Sequence, residues 1–142
     1  MLMTTAASVT KDWIASLLPQ GGYTNIRFST RDPEVIVADH PTRPNITLRA
    51  RPELGLITVV HSWRLKKPGW GGEKDLLVVF NKANSTSWYD TFYRDNEGDL
   101  IVSSYITIAD GLSEQNVLQH LDREASSFRE TINVSELVKW MP

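Results

Sequence analysis

Residues 76–117 read LLVVFNKANSTSWYDTFYRDNEGDLIVSSYITIADGLSEQNV, and their punctuation decides the fold. Leu76, Leu77, Val79, Phe80 and Ala83 recur at helical spacing, and the helix runs into Asn81-Lys82-Ala83-Asn84. Two alternating stretches follow, Trp88–Arg94 and Leu100–Ile108, joined by Asp95-Asn96-Glu97-Gly98-Asp99. This is a β-hairpin, in which Gly98 supplies the positive φ of a tight loop. Gly111 then reads as a stop and Ser113 as the N-cap of another helix. Helix, hairpin, helix is an architectural statement, and the stretch carries no catalytic signature.

Working outward, the last helix places Val117, Leu118, Leu121, Ala125, Phe128 and Ile132 three or four apart. Ser135 to Met141 either continues it or forms a short extra helix. Upstream, Lys67-Pro68-Gly69-Trp70-Gly71-Gly72 is a glycine-rich loop that opens the Leu76 helix, with Glu73 and Asp75 in its first turn. Two strands precede that loop. In Asn45–Arg51, Ile46, Leu48 and Ala50 point one way while Thr47, Arg49 and Arg51 point the other. In Leu56–Lys66, Ile57, Val59, His61, Trp63 and Leu65 share a face opposite Thr58, Val60, Ser62, Arg64 and Lys66. Tyr23–Ala38 reads as one broken strand or two short ones around Pro33. A first helix over Val9–Leu18 carries Trp13, Ile14, Leu17 and Leu18 and is closed by Pro19 and Gly21-Gly22. The element order is α-β-β-β-α-β-β-α. It predicts an α+β fold, an antiparallel sheet of about five strands with helices on one face, in a single domain over residues 1–142.

Composition narrows the chemistry. The chain has no cysteine, which removes disulfides, zinc-thiolate sites and thiol nucleophiles. No run approaches the roughly 20 apolar residues of a membrane span. Met1–Ala7 lacks a basic segment followed by an apolar core, so a cytoplasmic protein is expected. The net charge of −2 conceals an asymmetry. Residues 1–71 hold nine Lys/Arg against five Asp/Glu, and residues 72–142 hold six against twelve. With no block of like charges, the plain reading is that the halves balance in the fold.

The element order, and the residues from Leu76 to Phe128, resemble the YbjN-type proteins of bacteria, described as regulators of sensory transduction. The resemblance rests on the helix running into Asn81-Lys82-Ala83-Asn84, the Trp88–Asp95 strand, the Asp-Asn-Glu-Gly-Asp turn, and the Gly111-Leu112-Ser113 entry to the last helix. It implies a fold similar to class I type III secretion chaperones. It also implies a cytoplasmic homodimer that acts through contacts with a protein or peptide partner, without catalysis or cofactor. The basic hairpin over Asn45–Lys67 departs from the family pattern, so no family binding residue is carried onto this chain.

Several residues are candidates for chemistry. Asp95, Glu97 and Asp99 superficially match a calcium loop, but the segment is short and lies between strands, which favours a turn. His40, His61 and His120 have no metal-binding spacing. His61 and Trp63 lie on an apolar face and mark a pocket candidate, against the plainer reading of a packed, hydrogen-bonded histidine. His40 falls in a proline turn and His120 on a charged helix face. Gly69-Trp70-Gly71-Gly72 lacks the phosphate-binding fingerprints, and Glu73 and Asp75 would repel an anion. Trp70 either folds onto the core or waits for a partner. Arg49, Arg51, Arg64 and Lys66 point to the non-apolar face, with Lys67 next in sequence and Ile101 and Tyr105 able to join them. That set is a candidate partner-binding surface, or a solvated face partly neutralised by Asp90.

Two functions compete. One is a chaperone, adaptor or regulator that binds a protein segment. The other is a small-molecule-binding domain or weak enzyme with a pocket between sheet and helices near His61. The latter needs a water-filled cavity and a carboxylate or hydroxyl beside that ring. Nucleic-acid binding ranks below both, since the chain is slightly acidic overall.

Overall fold

The computed structural model describes residues 8–108 and 112–142. Met1–Ala7, and Gly111 as the stop before the last helix, lie outside the described residues. Helix α1 (Lys11–Leu17) is capped by Thr10, whose hydroxyl accepts from the Trp13 N–H at 3.2 Å. A short 3₁₀ turn over Leu18–Gly21 leads to strands β1 (Thr24–Phe28) and β2 (Ile36–Asp39). The region around Pro33 is thus two strands. A register shift between Thr24 and Arg27 is absorbed by Asn25 at φ 49°, a conformation asparagine tolerates. Strands β3 (Ile46–Arg51) and β4 (Leu56–Trp63) form a hairpin around Pro52–Leu54, closed by Gly55 at φ 69°. Helix α2 (Gly72–Thr86), strands β5 (Thr91–Arg94) and β6 (Leu100–Thr107), and helix α3 (Glu114–Val134) complete the order. A 3₁₀ turn at Leu137–Trp140 ends the chain as a separate element, because Glu136 takes φ 66° and breaks the helix.

The sheet is antiparallel throughout, in the order β1-β2-β3-β4-β6-β5. Its six strands exceed the expected five because Tyr23–Ala38 contributes two. The sequence-predicted strand at Trp88 begins only at Thr91, and the strand through Lys66 ends at Trp63. The widest join is β4 to β6, running from Leu56↔Thr107 to Trp63↔Leu100.

All three helices pack on one face, and burial there alternates strictly with exposure. Ile57, Val59 and His61 of β4 are buried, as are Leu100, Val102, Ser104 and Ile106 of β6. The core falls into two clusters. One joins Ile14, Leu17 and Leu18 to Ile36, Leu48, Ile57 and Val59. The other joins Leu76, Phe80 and Ala83 to Phe92, Leu100 and Val102. Fully burying each leucine, isoleucine, valine or phenylalanine among them contributes about 1.5–3 kcal/mol. Helix α3 spans both, with Val117 and Leu121 in the first cluster and Phe128 in the second. Glu124 lies on that stripe between Leu121 and Phe128, at the boundary between the clusters. No helix among the described residues is long and apolar enough to cross a membrane.

Candidate functional site

The two faces of β4 and β6 hold different chemistry. On the helix-covered face, His61 is 7% exposed and both ring nitrogens meet acceptors. Nδ1 lies 3.0 Å from the Asn45 carbonyl, and Nε2 is hydrogen-bonded to Glu124 Oε1. A ring with acceptors at both nitrogens is best satisfied when both carry protons. Glu124 is 1% exposed, and its Oε2 accepts from Ser104 Oγ at 2.7 Å. His120 Nε2 lies 3.2 Å from the same hydroxyl and 3.8 Å from the carboxylate. His120 is therefore half-buried over the sheet and packs edge-on to Tyr89, a correction to its expected place on a charged helix face. Trp63 stacks on Phe128 with ring centroids 4.7 Å apart, which closes the site on that side.

The electrostatics follow from burial. Burial alone favours a neutral His61 ring, but the hydrogen bond and charge of Glu124 and the Asn45 carbonyl together raise its pKa. Burial lowers that of His120, with Glu124 acting weakly the other way. Asp90 is 7% exposed, and neither carboxyl oxygen has a hydrogen-bond partner. Burial first, and the Glu124 charge second, push its pKa up to about 8, so it is protonated at neutral pH. Asp90 thus lies on the covered side and does not neutralise the arginine face, contrary to the sequence expectation. The cavity beside His61, lined by Tyr23, Arg43, Leu121 and Glu124 among others, holds about 10 Å³. That is room for a single water. His61 has its carboxylate partner, and through it the Ser104 hydroxyl, but no space for a substrate. Ser104 gives its proton to Glu124 and is 2% exposed, an arrangement that holds elements together.

The opposite face carries no helix among the described residues. Register fixes its rows. Arg49, Thr58 and Tyr105 are in line across β3, β4 and β6, and Ser62, Ile101 and Tyr93 across β4, β6 and β5. Tyr93 is 47% exposed and Tyr105 59%, while Val60 and Ile101 between them are half-buried. Arg49 and Arg51 are on this face, each with a carboxylate partner, Asp32 at 2.6 Å and Glu53 at 2.7 Å. Arg64 and Lys66 lie just beyond β4 and are exposed. Trp70 is fully exposed. The structure therefore places Arg49 and Tyr105 in one row with Arg51 on the Leu56 side of it, and Ile101 in the Ser62 row at the other end of β4, toward the exposed Arg64, Lys66 and Trp70.

Asn84, in the Asn-rich helix end, clamps the neighbouring strand. Its side chain accepts from the Phe92 N–H at 2.7 Å and donates to the Phe92 carbonyl at 2.9 Å. The amide thus occupies the outer edge of β5, where another strand would otherwise pair. At the hairpin tip, Asp95 Oδ1 accepts from the N–H groups of Glu97 and Asp99, each at 2.9 Å. Asp95, Glu97 and Asp99 lie close together there, and Asp95 is engaged in shaping the turn. Glu124 was findable from spacing alone. Val117, Leu121, Glu124, Phe128 and Thr131 recur at four, three, four and three, so a carboxylate falls on the buried stripe.

A family model, YbjN, described as "Putative bacterial sensory transduction regulator", matches residues 10–134. Among solved structures, the chain is similar to YbjN from E. coli, described as "a putative transcription regulator". That match has a TM-score of 0.67 and 10% sequence identity, and covers 92% of this chain and 94% of the other. It is also similar to a chain in the heterodimeric ExoU-SpcU complex from the type III secretion system of Pseudomonas aeruginosa. There the TM-score is 0.54 and the identity 15%, covering 84% of this chain and 95% of the other. At such identities the likeness is one of fold. No curated protein matches the sequence.

Proposed function

The chain belongs to the YbjN family, and from that premise we propose that it is a non-catalytic chaperone, adaptor or regulator that binds a protein segment on its open sheet face. One observation carries the reading. Among the described residues, a six-stranded sheet has every helix on one side, and its other side presents Tyr93, Tyr105, Ile101 and Val60 in adjoining rows. Tyrosines of this kind bring large rigid contact area to an interface. Arg49 and Arg51, already paired, form the charged rim. The likeness to the ExoU-SpcU structure, itself a heterodimer of proteins, supports a protein as the ligand. The covered face supports the same reading, since His61 and Glu124 satisfy each other in a space that admits one water. The proposed working form is a cytoplasmic homodimer.

The test is affinity capture from the native cytoplasm with the intact chain and with a Tyr93→Ser/Tyr105→Ser variant, alongside light scattering of the purified protein. The expected result is one stoichiometric companion recovered by the intact chain and lost with the variant, whose thermal unfolding is unchanged. Equal capture by the variant would remove the sheet face from consideration. A monomeric mass at tens of micromolar protein would remove the homodimer.

A further inference from the structure

Arg49 and Arg51 are neutralised by Asp32 and Glu53, whereas Arg64, Lys66 and Lys67 have no ion-pair partner among the described residues. All three are exposed and follow one another where the chain leaves β4. Trp70, three residues on, is 106% exposed, more than any other large hydrophobic residue described. The loop that carries it is anchored at both ends. The Lys66 N–H donates to the Trp140 carbonyl at 2.8 Å, and the Gly72 N–H to the Gly69 carbonyl at 2.9 Å. Gly71 takes φ 79° as the chain enters α2. A Cβ on Gly72 would come within 3.0 Å of Pro68, so the turn is tight as well as bonded. The backbone on either side of the indole is therefore fixed, while the indole itself stands in solvent. Pro68, two residues before Trp70, lines a groove of about 580 Å³ together with Arg64, Lys66, Lys67, Glu73, Arg94 and the 97–99 turn.

We propose that Arg64, Lys66, Lys67 and Trp70 form a docking site for an extended acidic peptide segment of a partner protein. Three cations without carboxylates are complementary to acidic side chains, and the indole offers an apolar surface of the size that dominates interface energetics. The acidic residues of the groove select among polyanions. Glu73 is paired with Arg94 at 2.8 Å, so it is Glu97 and Asp99 that repel a ligand negative all round, such as nucleic acid or an anionic bilayer. A peptide with its carboxylates on one side meets Arg64, Lys66 and Lys67 alone. Only the choice of a protein ligand rests on the protein-binding reading above, and neither Tyr93 nor Tyr105 lines the groove.

The experiment uses the full chain and a fluorescein-labelled dodecapeptide of Glu, Asp, Leu and Gly, read by anisotropy at low salt. Binding is expected to weaken about tenfold in Lys66→Ser/Lys67→Ser and by a similar factor in Trp70→Ser. It should also fall steeply with added salt. A control with the same charge loss, Lys11→Ser/Arg31→Ser, should change it less than about twofold. The proposal is overturned by equal binding to the Lys66/Lys67 variant, by no binding at millimolar peptide, or by tighter binding to a single-stranded DNA oligonucleotide or to phosphatidylglycerol vesicles. Tyr93→Ser/Tyr105→Ser must retain the peptide, so a failure here and a failure of the sheet-face reading give different results.

Discussion

The two faces of the β3–β4 hairpin show two ways of handling charge. On its open side, beside Thr58, Arg49 pairs with Asp32 while both side chains remain about two-fifths exposed. On its covered side, His61 pairs with Glu124 where the two are 7% and 1% exposed. Water does most of the stabilising in the first case, so removing a partner changes little. In the second the protein alone must satisfy each group, and Glu124 uses Ser104 as well as His61 to do so. An arginine–carboxylate pair is thus a surface ornament on one face, and a histidine–carboxylate pair a structural bond on the other.

The sharpest way to break this comparison is Glu124→Ala. It leaves His61 buried against an empty site, and urea unfolding should show a loss of about 3–5 kcal/mol. A loss under about 1 kcal/mol would mean that His61 simply becomes neutral at no cost, and the covered pair would then resemble the open one.

Asp90→Asn should act in the opposite direction. Asp90 keeps its proton in the folded chain up to about pH 8 but loses it near the ordinary carboxyl value when unfolded. Between those values the folded state binds more protons, so stability falls as pH rises, by about 1.4 kcal/mol per pH unit. His61 adds to the same trend, because its raised pKa gives stability that is complete below its unfolded value and lost as pH rises through the folded one. The asparagine variant should be the more stable protein at pH 8 and should show a shallower decline between pH 5 and pH 8. Parallel pH profiles for the two proteins would show that Asp90 gains a partner in solution.

Asn84→Ala removes both bonds to Phe92 and should cost about 1–3 kcal/mol, with hydrogen exchange at the Phe92 amide accelerated beyond the global rate. Arg49→Ser closes the series at about 0.2–1 kcal/mol, within what an exposed pair contributes. A larger loss there would place the open face among the structural parts of the molecule.

The sequence made the strands legible because a period of two survives in Ile46–Arg51, Leu56–Trp63 and Leu100–Thr107, where one face is covered and the other wet. The Gly98 turn and the Ser113 cap were legible because each uses a residue suited to one backbone geometry, and Ser113 forms a full capping box with Asn116. Glu124 was missed because a search for apolar residues on α3 follows Leu118, Ala125 and Ile132, which flank the buried stripe, and skips the carboxylate within it. Asp90 was missed because its surroundings are assembled from β4, α3 and the turn before β5, which no local pattern reports. The split of the basic set had the same origin. Alternation placed Arg49 and Arg51 on one face, but Asp32, the partner of Arg49, lies 17 residues away and its approach depends on tertiary structure.

The β4–β6 ladder also has a kinetic consequence. Strands β1 to β4 join neighbours in sequence, so their hairpins close over short loops. The pairing of Trp63 with Leu100 must instead enclose everything from Arg64 to Asp99, with α2 and β5 inside the loop. Closing that span takes conformational entropy before any ladder bond compensates for it. The seam is therefore the step expected to limit the folding rate, and Val59→Ala, which faces Ser104 across it, should slow refolding. A truncation in the β1–β2 hairpin, at Val37, should mainly hasten unfolding. In this account the two halves of the sheet are early local structures, and the protein becomes native when they are sewn together.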